Sequence, residues 1–189
     1  MRNAALIRLL PAVAGCLAML VCASLSIAED AKEEKEAKTI DLRKFQLTAP
    51  EGWERQKPKS RIVEHEFSAP ASEGDDVGVR ITMMHSGGTI DDNIDRWRGQ
   101  FAEIDPDNTK EPETRTIAGQ EVRVVDISGS FMDRPNPMAA GVERENYRML
   151  AAIVVLKEGN FFVKLTGPRR TLSDQEENFN ALLDSLELK

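Results

Sequence analysis

Tyr147-Arg148-Met149-Leu150-Ala151-Ala152-Ile153-Val154-Val155-Leu156 is apolar at both parities. Side chains alternate between the two faces of a strand. Met149, Ala151, Ile153 and Val155 therefore take one face, and Leu150, Ala152, Val154 and Leu156 the other. A strand apolar on both faces belongs in the middle of a sheet with something packed on each side. Lys157-Glu158-Gly159-Asn160 supplies turn chemistry, and Phe161, Val163 and Leu165 put the return strand's apolar parity on one face. Gly167-Pro168 ends that strand, since proline cannot donate to a ladder. Ser173-Asp174-Gln175-Glu176 then fits a capping box, followed by Phe179, Leu182, Leu183 and Leu186 at helical spacing. The stretch from Asn146 to Leu188 thus predicts strand, turn, strand, helix.

Upstream, Leu42 to Thr48 and the residues after Ala49-Pro50-Glu51-Gly52-Trp53 read as a hairpin ending near Pro58. Arg61 to Ala69 alternates, with Val63, His65 and Phe67 opposite Ile62, Glu64 and Glu66. Val77, Val79, Ile81 and Met83 oppose Arg80 and Thr82 in a half-buried antiparallel strand. Thr89 caps a helix with Asp91 and Asp92 in its first turn and a stripe of Ile90, Ile94, Trp97 and Phe101. That helix is expected to run to Asp105-Pro106-Asp107-Asn108. Thr114–Ile117 and Glu121–Phe131 form a hairpin around Ala118-Gly119, with Asp126 interrupting one apolar face. Asp133 to Glu145 reads as the longest structureless stretch of the domain. The expected fold is α+β: an antiparallel sheet of about six or seven strands flanked by helices, forming a single domain over residues 40–189.

The start of the chain reads differently. Arg2 and Arg8 precede an apolar run from Leu9 to Ala23, and Ser26-Ile27-Ala28 fits a signal-peptidase site at the end of a signal peptide over residues 1–28. The apolar core is shorter than the ~20 residues of a membrane helix. Val13-Ala14-Gly15-Cys16 also fits a lipobox, so soluble export competes with a lipid anchor through Cys16. Glu29 to Lys38 is charged with no apolar stripe, and residues 29–39 read as a linker.

Cleavage after Ala28 removes both cysteines, Cys16 and Cys22, and moves the formal charge from −7 to −9 by taking Arg2 and Arg8. No cysteine then remains for a disulfide, thiol nucleophile or thiolate metal site. An acidic chain without a basic block argues against nucleic acid and anionic membrane surfaces as partners. No stable membrane insertion is expected after cleavage.

The order of these elements, from Gly52-Trp53 after a proline to the closing Phe179…Leu182-Leu183…Leu186 helix, resembles the PsbP-like α/β/α sandwich over roughly Asp41 to Leu188. The resemblance implies that fold, and a role as a binding or assembly factor rather than an enzyme. It carries no family active site to any residue here.

Candidate chemistry is sparse. His65 and His85 lie on strands expected to be neighbours, with Glu64, Glu66 and Asp75 as possible oxygen ligands, but without zinc-site spacing. Ser86, Ser128 and Ser130 lack a Gly-x-Ser-x-Gly elbow. Gly87-Gly88-Thr89 reads as a cap, because Asp91 and Asp92 would repel an anion. Arg134, Arg144, Arg148, Arg169 and Arg170 make either a basic rim or a solvated surface paired with Glu143, Glu145 and Asp174. No residue pattern calls for a cofactor or metal. The residues thus point to an exported, non-catalytic binding or assembly module of the bacterial envelope. Its partner would be another protein or a small envelope ligand, engaged through Arg134, Met138, Val142 and Arg144. A hydrolase using His65 or His85 is the alternative.

Overall fold

The computed structural model describes residues 38–134, 139–157 and 159–189. The proposed signal peptide, nearly all of the charged linker and Met138 lie outside them. In chain order come β1 (Thr39–Asp41), β2 (Phe45–Thr48), β3 (Glu54–Gln56), β4 (His65–Ala69) and β5 (Val79–Ser86). Helix α1 (Ile90–Arg98) follows, then β6 (Phe101–Ile104), β7 (Lys110–Ile117), β8 (Gln120–Asp133), β9 (Val142–Leu156) and β10 (Gly159–Pro168). Helices α2 (Arg169–Asp174) and α3 (Glu176–Asp184) and the short β11 (Glu187–Leu188) close the chain.

The large sheet runs β3-β4-β5-β10-β9-β8, and β6 and β7 both pair with the far side of β8. A small sheet, β1-β2-β11, stands apart from it. All of the pairings are antiparallel.

β9 sits mid-sheet between β10 and β8, as its two apolar parities require. Leu150, Ala152 and Val154 enter one core with Phe161, Val163 and Leu165, beneath Phe179, Leu182 and Leu183 of α3 and Phe45 and Leu47 of the small sheet. Met149, Ala151 and Ile153 enter a second core with Phe162, beneath Ile94 and Trp97 of α1. The sheet is therefore filled on both sides. Trp97 meets Phe162 edge-on at 5.2 Å, and Phe45 meets Phe161 the same way at 5.2 Å. Val79, Ile81 and Met83 alternate into the first core, while Ile62 and Val77 stay exposed. The turn between β7 and β8 carries Ala118 and Gly119 at φ 48° and 76°, the primed geometry that suits a two-residue hairpin.

Five expectations need correction. First, the described residues hold eleven strands in two sheets, more than the six or seven expected. Second, β2 and β3 do not form a hairpin: β2 pairs with β1 and β11, and β3 with β4. Gln46 pairs with Glu187, 141 residues on, and a partner that distant leaves no local trace. Third, α1 stops at Arg98, where the Gly99 N–H donates to the Asp95 carbonyl and the Gln100 N–H to the Trp97 carbonyl. Phe101 reaches the same core from a strand, meeting Phe131 at 5.4 Å. A four-residue spacing suits both a helix and a helix-to-strand change.

Fourth, the closing helix is two helices meeting at Gln175, and no side chain caps the second. The Ser173 hydroxyl instead donates to the Arg169 carbonyl, and the Glu176 carboxylate takes a hydrogen bond from Arg148. Fifth, the described part of Asp133 to Glu145 is not all loop. β8 reaches Asp133 and β9 starts at Val142, pairing Phe131 with Arg144, Met132 with Glu143 and Asp133 with Val142.

Candidate functional site

The extended end of the β8–β9 hairpin carries the residues singled out for partner binding. β10 releases β9 at the Pro168↔Tyr147 pair. Beyond it, Val142 to Asn146 are all exposed, and of them Val142, Glu143 and Arg144 pair with β8. Val142 is 53% exposed. Arg134 is exposed at the end of β8, and Arg144 makes one loose ion pair with Asp133 at 3.7 Å. Arg134, Val142 and Arg144 thus share one projecting arm. Val142 and Arg144 lie on a strand rather than a loop, and Met138 is outside the described residues.

Two features shape the base of that arm. Between the Gly129↔Tyr147 and Phe131↔Arg144 pairs, β9 advances three residues and β8 only two. Asn146 absorbs the extra residue at φ 55°, a conformation asparagine tolerates better than most. Gly129 has no room for a side chain, since a Cβ there would lie 2.0 Å from the Glu103 carbonyl oxygen. Tyr147 stacks on Phe131 at 6.0 Å, anchoring the arm to the second core.

The two histidines do not converge. His65 is opposite Met83, and its Nδ1 lies 3.3 Å from the Arg55 guanidinium. Burial, then the Arg55 charge, holds the His65 imidazole below its usual range. His85 lies edge-on to Phe161 at 4.9 Å and meets the Glu64 carboxylate at 2.9 Å. Among the described residues no cluster of three or more His, Cys, Asp or Glu could hold a metal ion. Ser128 is buried, and its Oγ has no hydrogen-bond partner. The Gly87-Gly88-Thr89 turn serves as a cap: the Asp92 N–H donates to Thr89 Oγ1, and the Asn93 amide to the Gly87 and Thr89 carbonyls.

The arginines part company. Arg169 pairs with Asp105 at 3.2 Å. Arg148 is buried and forks onto Asp126 at 2.7 and 2.8 Å, reaching Glu176 at 2.8 Å and the Ser173 hydroxyl at 3.2 Å. Lys110 adds a second cation to Asp126 at 3.0 Å. Burial alone would raise the Asp126 carboxyl; Arg148 and Lys110 outweigh it and hold it below the usual range. Beside this network lies a cavity of about 40 Å³, with Val124, Leu150 and Phe179 inside a charged rim. That is room for a few waters, far below the ~300 Å³ of a small-molecule site.

Sequence reasoning missed one more group. Lys164 lies between β5 and β9, donating to Gln100 at 3.1 Å. Burial, then Arg80 and Arg96, pulls its ammonium down to about 8. Its signal was a single lysine inside the apolar Phe161–Leu165 run. No helix among the described residues is long and apolar enough to cross a membrane.

No family model and no curated protein matches this sequence. Solved structures do match. One is the cyanobacterial PsbP (CyanoP) of Synechocystis sp. PCC 6803, at 12% identity over 77% of this chain and 86% of that one, with a TM-score of 0.48. The chain is similar in fold to PsbP. PA94 of Pseudomonas aeruginosa, a protein of unknown function, matches at 13% identity over 80% of this chain and 96% of its own, with a TM-score of 0.49. LpqN, involved in cell envelope biogenesis of Mycobacterium tuberculosis, matches at 14% identity over 77% and 83%, with a TM-score of 0.48. The α+β class read from the order of elements is met by the antiparallel sheets and the helices of the chain itself.

Proposed function

We propose that this chain is an exported, non-catalytic binding module of the bacterial cell envelope, holding a protein partner with the end of its β8–β9 hairpin. The observation that carries this reading is the projection of that hairpin. Val142 to Asn146 lie beyond the last residue that β10 pairs, wholly exposed. Arg134, Val142 and Arg144 stand there together, with Met138 between them in sequence. A rigid sheet presenting an exposed apolar and arginine-bearing tip is a common way to build an interface.

Export rests on Ser26-Ile27-Ala28 and the abrupt change to charge after it, which set Glu29 as the mature N-terminus. An intact mass beginning at Cys16 with acyl chains would replace soluble export by a lipid anchor.

The binding test is a variant with Met138 and Val142 changed to Ser and Arg134 and Arg144 changed to Ala. Cross-linking in the native envelope followed by mass spectrometry reads the partner. Unchanged stability with a lost cross-link supports the reading. Lost stability with the cross-link retained would make the tip a cover for a strand edge.

A further inference from the structure

The open edge of the same hairpin has a polarity that can be worked out residue by residue. The Met132 N–H donates to the Gln100 carbonyl at 2.8 Å, on the side of β8 that faces away from β9. Backbone groups of one strand residue point to the same side, so Met132 and its opposite residue, Glu143, exchange no ladder bonds. The N–H and C=O of Glu143 therefore point outward, away from β8. Glu145 lies in the register shift before Tyr147 and takes no β8 partner, which leaves its backbone open as well, while Arg144 bonds inward to Phe131. β10 ends at Pro168, opposite Tyr147, and among the described residues no strand takes its place beside Val142 to Asn146.

This edge discriminates between occupants. In an antiparallel ladder, an outward-pointing residue must stand opposite another outward-pointing one. A second copy of this chain adding edge to edge would thus set Glu143 or Glu145 opposite Glu143 or Glu145. Like charges directly opposite one another destabilise the pair. The edge is built against itself. A complementary segment meets no such penalty, since basic side chains at alternate positions would face Glu143 and Glu145 and an acidic one would face Arg144.

We propose that Val142–Asn146 is a docking edge for an extended peptide segment of pattern basic–acidic–basic. The segment is added as an antiparallel strand where β10 leaves off. The backbone supplies the hydrogen bonds of strand addition and the charges set register and choice of partner. The proposal rests on the reading of the hairpin as the binding surface and specifies what that surface takes.

The probe is a synthetic peptide Thr-Lys-Asp-Lys-Val-Thr, which places its lysines opposite Glu145 and Glu143 and its aspartate opposite Arg144. Its control is Thr-Glu-Lys-Glu-Val-Thr. With isotope-labelled protein and millimolar peptide, the Glu143 and Glu145 amides should shift and gain protection from hydrogen exchange with the first peptide only. Glu143→Pro removes the outward N–H without touching the β8 ladder, and should weaken peptide binding about tenfold beyond the charge-matched Glu143→Gln, the worth of one hydrogen bond. Glu143→Lys with Glu145→Lys keeps the backbone and should reverse the preference between the two peptides. Free exchange at both amides under saturating peptide, or equal response to both peptides, would overturn strand addition. If the tip variant still loses its envelope cross-link in that case, the hairpin reading stands without it; if the cross-link also survives, both fall.

Discussion

Arg148 of β9 and Asp126 of β8 face one another through two hydrogen bonds, 2.7 and 2.8 Å long, with side chains only 7% and 6% exposed. They stand at the edge of the first core, where Leu150 and Val124 hand over to polar partners on α2 and α3. An ion pair this deep is locally self-sufficient: each charge is tolerable because the other is present.

Removing one member should therefore cost more than removing both. Arg148→Met leaves Asp126 buried with Lys110 alone and should lose about 3–5 kcal/mol. Adding Asp126→Leu should recover most of that loss. Urea denaturation of the two variants decides it: a double variant no more stable than the single one would show that Arg148 acts mainly through Glu176 and Ser173.

The same pair contributes pH dependence with a definite sign. The Asp126 carboxyl is held below its ordinary value in the fold. Its stabilising contribution is present above the unfolded aspartate range and is lost as the pH falls through the depressed folded value. Acid unfolding followed by circular dichroism should shift to higher pH in Arg148→Met.

Lys164 gives a pH dependence of the same sign at higher pH, but its charge destabilises the fold near neutral pH. Its ammonium is pulled from 10.5 to about 8 by burial and by Arg80 and Arg96. The unfolded chain binds the proton more tightly, so stability should rise as the pH climbs from about 8 towards 10.5. Lys164→Met should stabilise the protein at pH 7 by up to about 3 kcal/mol and flatten that rise. Thermal melts across this range measure both effects, and an unchanged slope in the variant would assign the rise to another group.

Trp97→Ala should lose about 3–5 kcal/mol, because the indole is 4% exposed and packs edge-on against Phe162. A loss below about 1 kcal/mol in chemical denaturation would mean that the second core closes over the gap.

Asn146 sets the offset between β8 and β9 at φ 55°. Asn146→Gly should be nearly neutral, whereas Asn146→Val should lose about 1–2 kcal/mol through left-handed strain. Equal stability of the two would place the extra residue elsewhere in β9.

Sequence alone determined what local periodicity can encode. The two parities of Tyr147–Leu156 already called for a central strand with a core on each face, and Leu150 and Met149 duly enter different cores. Val79, Ile81 and Met83, the Thr89 cap and the Ala118-Gly119 turn were legible for the same reason, since each depends on neighbours within a few residues. Tertiary structure decided whatever depends on distant partners. Glu187↔Gln46 pairs across 141 residues, so neither β2 nor β11 could be placed from its own composition. Asp126 read as an interruption, and only the β8–β9 register set Arg148 within reach of it. The arm bearing Val142 and Arg144 read as a loop because its residues are exposed on both faces, leaving no alternation to mark a strand. Backbone pairing of Val142, Glu143 and Arg144 with β8 makes that segment a strand, and backbone pairing is the interaction that side-chain patterns record least.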